Sequence, residues 1–259
     1  MENLFSVAGK VAVVTGGSRG IGLMIARGLV ESGVRVYISS RKADACDAAA
    51  AGLNAGGECI SIPADLSTVE GAAHLADAVG EREKAVQILV NNAGAVWGAE
   101  LDEYPEAGWD RVIDTNLKGV FFVTQKLLPL LRRAASQADP ARIINIGSID
   151  GLLPPAYPTY AYSTSKAGLH MLTRHIATDL ASENILVNAI APGLFPSRMT
   201  AFALATPELE AETTAAIPLR RAGTWEDIVG TTLFLASRAG AYVTGAVIPV
   251  SGGLATLRG

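Results

Sequence analysis

Cysteine, histidine and long apolar runs are scarce in this chain of 259 residues. Its two cysteines, Cys46 and Cys59, cannot form the framework of several disulfides that stabilises small secreted proteins. Its three histidines are scattered, and no metal site is predicted. The start Met1-Glu2-Asn3 lacks the basic and then apolar pattern of a signal peptide, so we expect a cytoplasmic protein.

The sequence also lacks a membrane segment and a basic surface. Its most apolar helical stretch, Arg111 to Leu131, is interrupted by charged residues, so no run of about 20 apolar residues could cross a membrane. The net charge of −4, from 21 basic and 25 acidic residues, argues against nucleic acid or an anionic membrane as a partner. The apolar fraction of 49%, counted without glycine, is above the usual level, and an oligomer would bury the excess.

Short β-branched segments alternate with longer segments of helical period. The seven predicted strands are Val11 to Thr15, Val34 to Ser39, Cys59 to Ile62, Ile88 to Asn91, Arg142 to Gly147, Ile185 to Ile190 and Ala246 to Val250. Helices are predicted near residues 20–32, 43–54, 68–82, 106–134, 160–182 and 225–237. Strands that are apolar throughout suit a parallel sheet covered on both faces. We therefore predict one α/β domain over residues 1–259, with a doubly wound, Rossmann-type, seven-stranded parallel sheet and helices on both faces.

The longest segment without a clear period covers about residues 194–224. Irregular segments of this length are uncommon inside a compact domain unless they serve a site. We interpret this segment as a substrate lid.

A glycine-rich turn, Thr15 to Gly22, joins the first predicted strand to the first predicted helix. Glycines let the backbone approach a pyrophosphate, whose charge the amides and dipole of a helix N-terminus stabilise. The spacing Gly-x3-Gly-x-Gly differs from the usual dinucleotide pattern Gly-x-Gly-x-x-Gly, and a plain tight turn is the alternative. As a phosphate-binding loop, it would contact a dinucleotide through Gly16, Ser18, Arg19, Gly20, Ile21 and Gly22.

The end of the second predicted strand indicates which dinucleotide is bound. An NAD-binding protein usually has an acid there to hold the ribose 2′-hydroxyl. This chain has Ser40, followed by Arg41, and Arg19 lies in the glycine-rich turn. Both arginines can form charge-assisted hydrogen bonds with a 2′-phosphate, so NADP(H) is expected rather than NAD(H). The alternative is that they are ordinary surface charges.

Two side chains four residues apart on a predicted helix, Tyr162 and Lys166, indicate acid/base chemistry. They share one helix face, and a nearby ammonium should lower the tyrosine pKa from about 10 toward the working pH. Ser148 ends the fifth predicted strand, where ligands of parallel sheets bind, and its hydroxyl can donate to a substrate carbonyl. Asn116 lies on the apolar stripe of its predicted helix and needs hydrogen-bond partners there, either structural or catalytic.

Together these motifs resemble the short-chain dehydrogenase/reductase family in order and approximate spacing over nearly the whole chain. They are Thr15 to Gly22, Asn91 to Gly94, Asn116, Ser148, Tyr162, Lys166 and Pro192-Gly193. The resemblance implies hydride transfer between a nicotinamide and a carbonyl or alcohol substrate. It implies that Tyr162 is the acid/base and that Lys166 binds the nicotinamide ribose. It also implies that Ser148 positions the carbonyl and that Asn116 holds a proton-relay water. Ser148 and Tyr162 are fourteen residues apart where thirteen is common, and the proline-rich loop between them should absorb the difference.

The resemblance implies further contacts with the cofactor. Asp65 and Leu66 correspond to an adenine-edge contact. The turn of Asn92, Ala93 and Gly94 would close over the adenosine ribose. Pro192 and Gly193 begin a segment that usually continues Pro-Gly-x-x-x-Thr and holds the nicotinamide carboxamide, and Ser197 replaces the threonine here. Because relatives associate through the helices corresponding to 106–134 and 160–182, a homodimer or homotetramer is implied.

Three segments look like β-ketoacyl reductases associated with rhamnolipid pathways, which implies a 3-oxoacyl thioester. These segments are Gly16 to Gly22, Leu127 to Arg133 and Ala191 to Thr200. An apolar pocket would suit an acyl chain, but also a terpenoid, steroid or aryl substrate of an alcohol dehydrogenase. Its predicted lining is Trp97, Leu152, Leu153, Tyr157, Leu194, Phe195, Met199 and Phe202. Glu183 stands where many carrier-protein reductases have a basic residue, so docking of an acyl carrier protein is not expected.

Other classes fit less well. An extended-branch epimerase or dehydratase would have a different glycine spacing and a longer substrate domain. A divergent-branch enoyl reductase would place its tyrosine seven residues before Lys166, where Thr159 stands. A non-enzymatic NADP-sensing regulator would have less need of the four predicted catalytic residues.

Overall fold

A computed structural model describes residues 4–256. Seven parallel strands form one sheet in the order β3-β2-β1-β4-β5-β6-β7. The strands are β1 (Val11–Thr15), β2 (Arg35–Ser39), β3 (Cys59–Ser61), β4 (Ile88–Asn91), β5 (Ala141–Ile146), β6 (Ile185–Pro192) and β7 (Val247–Val250). The α-helices are α1 (Gly20–Glu31), α2 (Ala43–Leu53), α3 (Val69–Gly80), α4 (Glu106–Ile113), α5 (Gly119–Ala134), α6 (Tyr160–Leu180), α7 (Pro207–Ala215) and α8 (Trp225–Ala236). None of the helices in this range is both long and apolar enough to cross a membrane.

An apolar core lies on each face of the sheet. One core contains Ile25 of α1 and Ile228 of α8, and the other contains Leu75 of α3 and Leu127 of α5. The central strands are buried on both faces, which explains why their sequences are apolar throughout. The predicted doubly wound sheet is therefore confirmed. Its strand order reverses between β1 and β4, which opens a crevice at the C-terminal edge.

The predicted helix over 106–134 contains a wide turn. Asp114–Lys118 forms one π-helical turn between α4 and α5. Such turns accommodate an extra residue and often occur at functional sites. Asn116 is the buried member of this turn, so the turn directs its amide toward the interior.

The prediction that residues 194–224 are irregular is wrong in part. This segment contains a 3₁₀ turn, Ala201–Leu204, and helix α7. The Thr206 hydroxyl accepts a hydrogen bond from the Leu209 amide at 3.3 Å, Pro207 begins the helix, and Glu208 lies in its first turn. These are helix-start signals that the sequence already contained. The role of segment 194–224 as a substrate lid stays a prediction.

Candidate active site

A cavity of about 1730 Å³ opens at the C-terminal edge of the sheet. The predicted site residues that line it are Gly16, Ser18, Arg19, Gly20, Ile21, Ser40, Arg41, Asp65, Leu66, Asn92, Ala93, Gly94, Ser148, Tyr162, Lys166, Pro192, Gly193 and Ser197. Gly22 and Asn116 are not part of the lining. The structure thus brings together side chains that lie up to about 180 residues apart in the sequence.

The glycine-rich turn leads directly into α1. Gly16 and Gly20 have φ angles of +65° and +54°, a backbone region that glycine adopts without strain. The residue before the helix, Arg19, makes no side-chain capping hydrogen bond. The first amides of α1 are therefore left without a side-chain cap beside the cavity, which suits an anionic phosphate.

Gly22 supports this turn from behind. A Cβ built on Gly22 would lie 2.3 Å from the Asn92 Nδ2 atom and 2.4 Å from the Gly16 carbonyl oxygen. Asn92 Nδ2 itself donates to the Thr15 carbonyl at 2.9 Å and to the Gly16 carbonyl at 3.2 Å. The absence of a side chain at Gly22 therefore lets α1, the glycine turn and the loop after β4 pack together.

Two arginines that line the cavity, Arg19 and Arg41, suit the binding of a 2′-phosphate. Arg19 and Arg41 make no ion pair within 4 Å in the part of the chain that the structure describes. Arg35, by contrast, binds Glu58 at 2.6 Å. Burial raises the pKa of Asp65, but hydrogen bonds from Ser67 and the charge of Arg41 bring it below its ordinary value. Two guanidinium groups that make no ion pair within 4 Å among the described residues therefore line this part of the cavity.

Ser148, Tyr162 and Lys166 line another part of the same cavity. The Ser148 hydroxyl acts to lower the pKa of the Tyr162 phenol. Lys166 Nζ lies 5.6 Å from the centre of the Tyr162 ring and donates to the Ile146 carbonyl at 2.7 Å. The loop between Ser148 and Tyr162 begins with a 3₁₀ turn at Ile149–Gly151. That this loop absorbs the extra residue stays a prediction.

The expected fall in the Tyr162 pKa is not observed. Burial raises the pKa of Tyr162 to about 12, outweighing the opposing effect of the Ser148 hydroxyl. Burial also lowers the pKa of Lys166 to about 8. The prediction was wrong because helical spacing places two side chains on one face but does not reveal how far the fold removes them from water.

Asn116 is fully buried and its amide is fully engaged. Its Oδ1 atom accepts from the Ala95 amide at 2.7 Å. Its Nδ2 atom donates to the Ala95 carbonyl and to the Ser165 hydroxyl, both at 3.0 Å. These bonds hold the loop after β4 against α6, which is the structural role considered for Asn116. Its water-binding role stays a prediction.

Loop side chains form an apolar wall around the substrate end. The predicted members that line the cavity are Leu153, Tyr157, Leu194, Phe195, Met199 and Phe202. Tyr157 and Phe202 make an edge-to-face contact, with ring centres 5.6 Å apart, which joins the loop after β5 to the segment 194–224. Trp97 and Leu152 do not line the cavity, and the Trp97 ring packs against Gly108 instead.

Two lining residues and one supporting turn were not recognised in the sequence. Asp150 lies in the turn after Ser148. Thr200 donates to the Phe195 carbonyl at 2.6 Å and contacts the Ser197 hydroxyl at 3.1 Å. Outside the lining, the Gly252 carbonyl accepts a hydrogen bond from the Leu219 amide at 3.0 Å and so holds the end of segment 194–224. The sequence carried no periodic signal for these loop contacts.

Comparisons with known proteins agree on one family. A family model described as enoyl-(acyl carrier protein) reductase matches residues 16–255. The rhamnolipids biosynthesis 3-oxoacyl-[acyl-carrier-protein] reductase of Pseudomonas aeruginosa is 52% identical over 253 residues, covering 98% of this chain and 99% of that protein. The gluconate 5-dehydrogenase of Gluconobacter oxydans is 36% identical over 254 residues, with 97% of each chain covered. The solved Pseudomonas aeruginosa RhlG/NADP active-site complex superposes with a TM-score of 0.95 at 51% identity, covering 98% of this chain and 100% of that one.

The fold and the site define an oxidoreductase built on a dinucleotide-binding sheet. This chain belongs to the short-chain dehydrogenase/reductase family, as its motifs implied. The family model carries the name of enoyl reductases, but Thr159 occupies the position where a divergent enoyl reductase would place its tyrosine. Tyr162, one turn before Lys166 on α6, instead lines the cavity.

Proposed function

We propose that this chain, an NADP(H)-dependent oxidoreductase that interconverts ketones and secondary alcohols, reduces 3-oxoacyl thioesters. One observation carries the proposal. Ser148, Tyr162 and Lys166 share a cavity that is also lined by Arg19 and Arg41, which make no ion pair within 4 Å among the described residues, and by an apolar wall. This arrangement supports a reaction in which an acid would act between a bound anionic cofactor and an acyl chain.

The reduction needs a proton at the carbonyl oxygen, and Tyr162 is placed to donate it. NADPH, when bound, supplies the hydride. Because burial holds the pKa of Tyr162 at about 12, the phenol stays protonated at neutral pH, as reduction requires. Oxidation of the alcohol requires the phenolate and should therefore increase as the pH rises. The Ser148 hydroxyl, which lines the same cavity as this phenol, would orient the carbonyl toward it.

The cofactor would occupy the lining from β1 to β6. The glycine turn and the first amides of α1 would hold the diphosphate, and Arg19 and Arg41 would hold the 2′-phosphate. Lys166, charged below about pH 8, would donate to the nicotinamide ribose. The remaining proposed contacts are Ser40, Asp65, Leu66, Asn92, Ala93, Gly94, Pro192, Gly193 and Ser197.

The apolar wall supports an acyl substrate over a sugar acid. Gluconate, named for one relative, is a polar anion, and Asp150 together with the apolar wall would disfavour it. The 3-oxoacyl group named for the more similar Pseudomonas relative has an apolar chain that fits this surface.

The surface at Arg132 and Glu183 bears on whether the thioester is bound as a free ester or on an acyl carrier protein. Arg132 binds Glu183 through two hydrogen bonds of 2.5 and 2.7 Å, so its charge is compensated. An acidic carrier protein would find less positive charge at this surface. The similarity to the Pseudomonas 3-oxoacyl-[acyl-carrier-protein] reductase supports a carrier-bound substrate, while this ion pair supports a free thioester.

We also propose that two copies associate through α5 and α6. A shallow apolar groove of about 500 Å³ lies between these helices and includes Phe121, Phe122, Met171 and Leu172. Phe121 and Met171 are 40% and 61% exposed in the single chain, which is unusual for large apolar side chains. Light scattering should give the mass of a homodimer or homotetramer, and Met171→Glu should lower it. A monomeric wild type at micromolar concentration would contradict this proposal.

The substrate proposal is tested by NADPH oxidation with four compounds. These are a 3-oxoacyl coenzyme A ester, the same acyl group on an acyl carrier protein, a 2-enoyl coenzyme A ester and 5-ketogluconate. The 3-oxoacyl esters should have the highest kcat/KM, and the two carriers compare the modes of presentation. Preference for the enoyl ester or the sugar acid would contradict the proposal.

A further inference from the structure

The carboxylate of Asp150 lines the cavity beside the proposed catalytic side chains and takes no part in the proposed proton transfer. Asp150 belongs to the 3₁₀ turn Ile149–Gly151, immediately after Ser148. Its backbone N–H donates to the Ser148 hydroxyl oxygen at 3.1 Å. Its side chain is half-buried and lines the cavity together with Tyr162 and Lys166. The position of this carboxylate is therefore tied to the residue that would orient the carbonyl.

The same turn packs closely against α6 at Lys166. A Cβ built on Gly151 would lie 2.7 Å from the carbonyl carbon of Lys166 and 2.8 Å from the backbone nitrogen of Ala167. Only glycine permits this approach, because a methyl group would overlap the helix backbone. The packing therefore fixes the turn that carries Asp150 next to the helical turn that carries Lys166.

Lys166 needs a source of negative charge. Its side chain is buried, with 4% of the residue exposed, and its ammonium donates to a neutral carbonyl, that of Ile146. It makes no ion pair within 4 Å among residues 4–256. A buried ammonium without a nearby anion is costly. Two acids line the cavity, Asp65 and Asp150, and Asp65 lies at the adenosine end.

We propose that Asp150 is a positioning residue whose carboxylate keeps the Lys166 ammonium charged and thereby sets the pH range in which the site reduces carbonyls. The inference rests on the proposed reductase function. The charge of Asp150 acts in the expected direction on the pKa values of both Lys166 and Tyr162. Burial lowers the pKa of Lys166 to about 8, and the charge of Asp150 opposes that fall. Burial raises the pKa of Tyr162 to about 12, and the charge of Asp150 adds to that rise.

Other titratable and charged groups surround the pair on α6 and on the π-turn that packs against α6. They are Tyr162, His170, Arg174, Asp114 and Lys118. His170 is neutral near pH 7 because burial lowers its pKa to about 4. Arg174 is exposed, and Asp114 and Lys118 bind each other at 3.1 Å. Asp150 is therefore the acid whose charge acts on both Lys166 and Tyr162.

The test is Asp150→Asn, which removes the charge and keeps the shape. Removing the carboxylate should lower the pKa values of Lys166 and Tyr162 together. The alkaline limb of kcat/KM for ketone reduction should then move to lower pH by about one unit, the effect typical of one close charge. The rising limb of alcohol oxidation should move in the same direction. The loss of NADPH affinity at high pH, followed by fluorescence titration without substrate, should also begin at lower pH.

Two variants control this measurement. Asp179→Asn removes a carboxylate from α6, the helix that carries Lys166, at a side chain that is 66% exposed, and should leave all three pH profiles unchanged. Asp150→Glu keeps the charge, so the alkaline limb of kcat/KM for ketone reduction should stay at its wild-type pH. If Asp150→Asn does not fold in thermal unfolding, Asp150→Ser provides the same test.

The outcomes separate this inference from the proposed function. A wild type without ketone reductase activity would contradict the function, while the NADPH titration would still test Asp150. The proposal would be supported if the pH profiles of Asp150→Asn move to lower pH while those of Asp179→Asn stay at the wild-type position. A lower activity with unmoved limbs would overturn it, because a purely structural role changes amplitude and not the apparent pKa.

Discussion

The dinucleotide end and the substrate end of the cavity are built in different ways. At the dinucleotide end the backbone is fixed by short bonds, such as those from the Asn92 and Ala93 amides to the Thr15 hydroxyl at 2.9 and 3.0 Å. At the substrate end the wall consists of loop side chains, and both Tyr157 and Phe202 are 58% exposed. The first end tolerates few replacements, whereas side chains at the second can change without disturbing the sheet. One scaffold can therefore keep its cofactor while its substrate varies.

The largest effect is expected at Tyr162, where the two ends meet. Tyr162→Phe removes the transferable proton and keeps the ring, so kcat should fall by about 10²- to 10⁴-fold. The affinity for NADPH, measured by fluorescence titration, should stay the same. Tyr160→Phe, on the same helix and 37% exposed, is the matched control and should turn over normally. Near-normal turnover by Tyr162→Phe would refute its assignment as the acid.

Arg41 tests the specificity of the dinucleotide end. Only contacts with the 2′-phosphate distinguish NADPH from NADH, and a charge-assisted hydrogen bond contributes about 1.5–3 kcal/mol. Arg41→Ala should therefore weaken NADPH by about ten- to a hundredfold and leave NADH almost unchanged. Ser40→Asp should shift preference further toward NADH by repelling the phosphate.

Steady-state kcat/KM with both cofactors measures this preference. Arg82→Ala, an exposed arginine outside the cavity, controls for the loss of one positive charge. A wild type that prefers NADH, or an Arg41→Ala variant that loses both cofactors equally, would show that the arginine does not contact the phosphate.

Gly22 tests the rigidity of the same end. A methyl group there would overlap the Gly16 carbonyl and the Asn92 amide, so Gly22→Ala should lower the free energy of unfolding by about 1–3 kcal/mol and weaken NADPH. Gly52→Ala is the matched control, because this helical glycine has no neighbour within 4 Å of an added Cβ. The control should be neutral or slightly stabilising in urea unfolding. Equal effects of the two substitutions would contradict the packing described for the glycine turn.

A smaller effect is expected at Phe202 on the substrate wall. Phe202 lines the apolar wall, and each acyl methylene that it buries is worth about 0.8 kcal/mol, so Phe202→Ala should raise KM for a long-chain 3-oxoacyl ester by about fourfold per methylene left uncovered. Its affinity for NADPH and its KM for a short-chain ketone should not change. A change in NADPH affinity would show that the two ends of the cavity are not independent.

The sequence predicted the sheet and the position of the glycine-rich turn well, because both depend on local patterns. Apolar runs placed β1 and β4 at their observed bounds, and the glycine spacing located the turn before α1. The wide turn at Asp114–Lys118 was missed because an inserted residue barely alters helical periodicity. Helix α7 was missed although its first turn carried the usual start signals.

The substrate end was less predictable because its properties depend on tertiary contacts. Apolar composition placed Trp97 in the cavity lining, whereas the folded chain packs it on Gly108. The pKa of Tyr162 rises because the folded chain buries the phenol. Asp150 lies near Lys166 because the turn that carries it packs against α6. Neither follows from residue spacing alone.

The central claim, carbonyl reduction at this site, is tested most directly by following the hydride. NADPH deuterated at its transferring position would be incubated with the wild-type chain and either a 3-oxoacyl or a 2-enoyl thioester, and the products analysed by mass spectrometry. We expect deuterium on the carbon that bears the new hydroxyl of the 3-hydroxyacyl product, and no label from the enoyl substrate. Deuterium in a saturated product of the enoyl thioester, with none in a 3-hydroxyacyl product, would contradict the account.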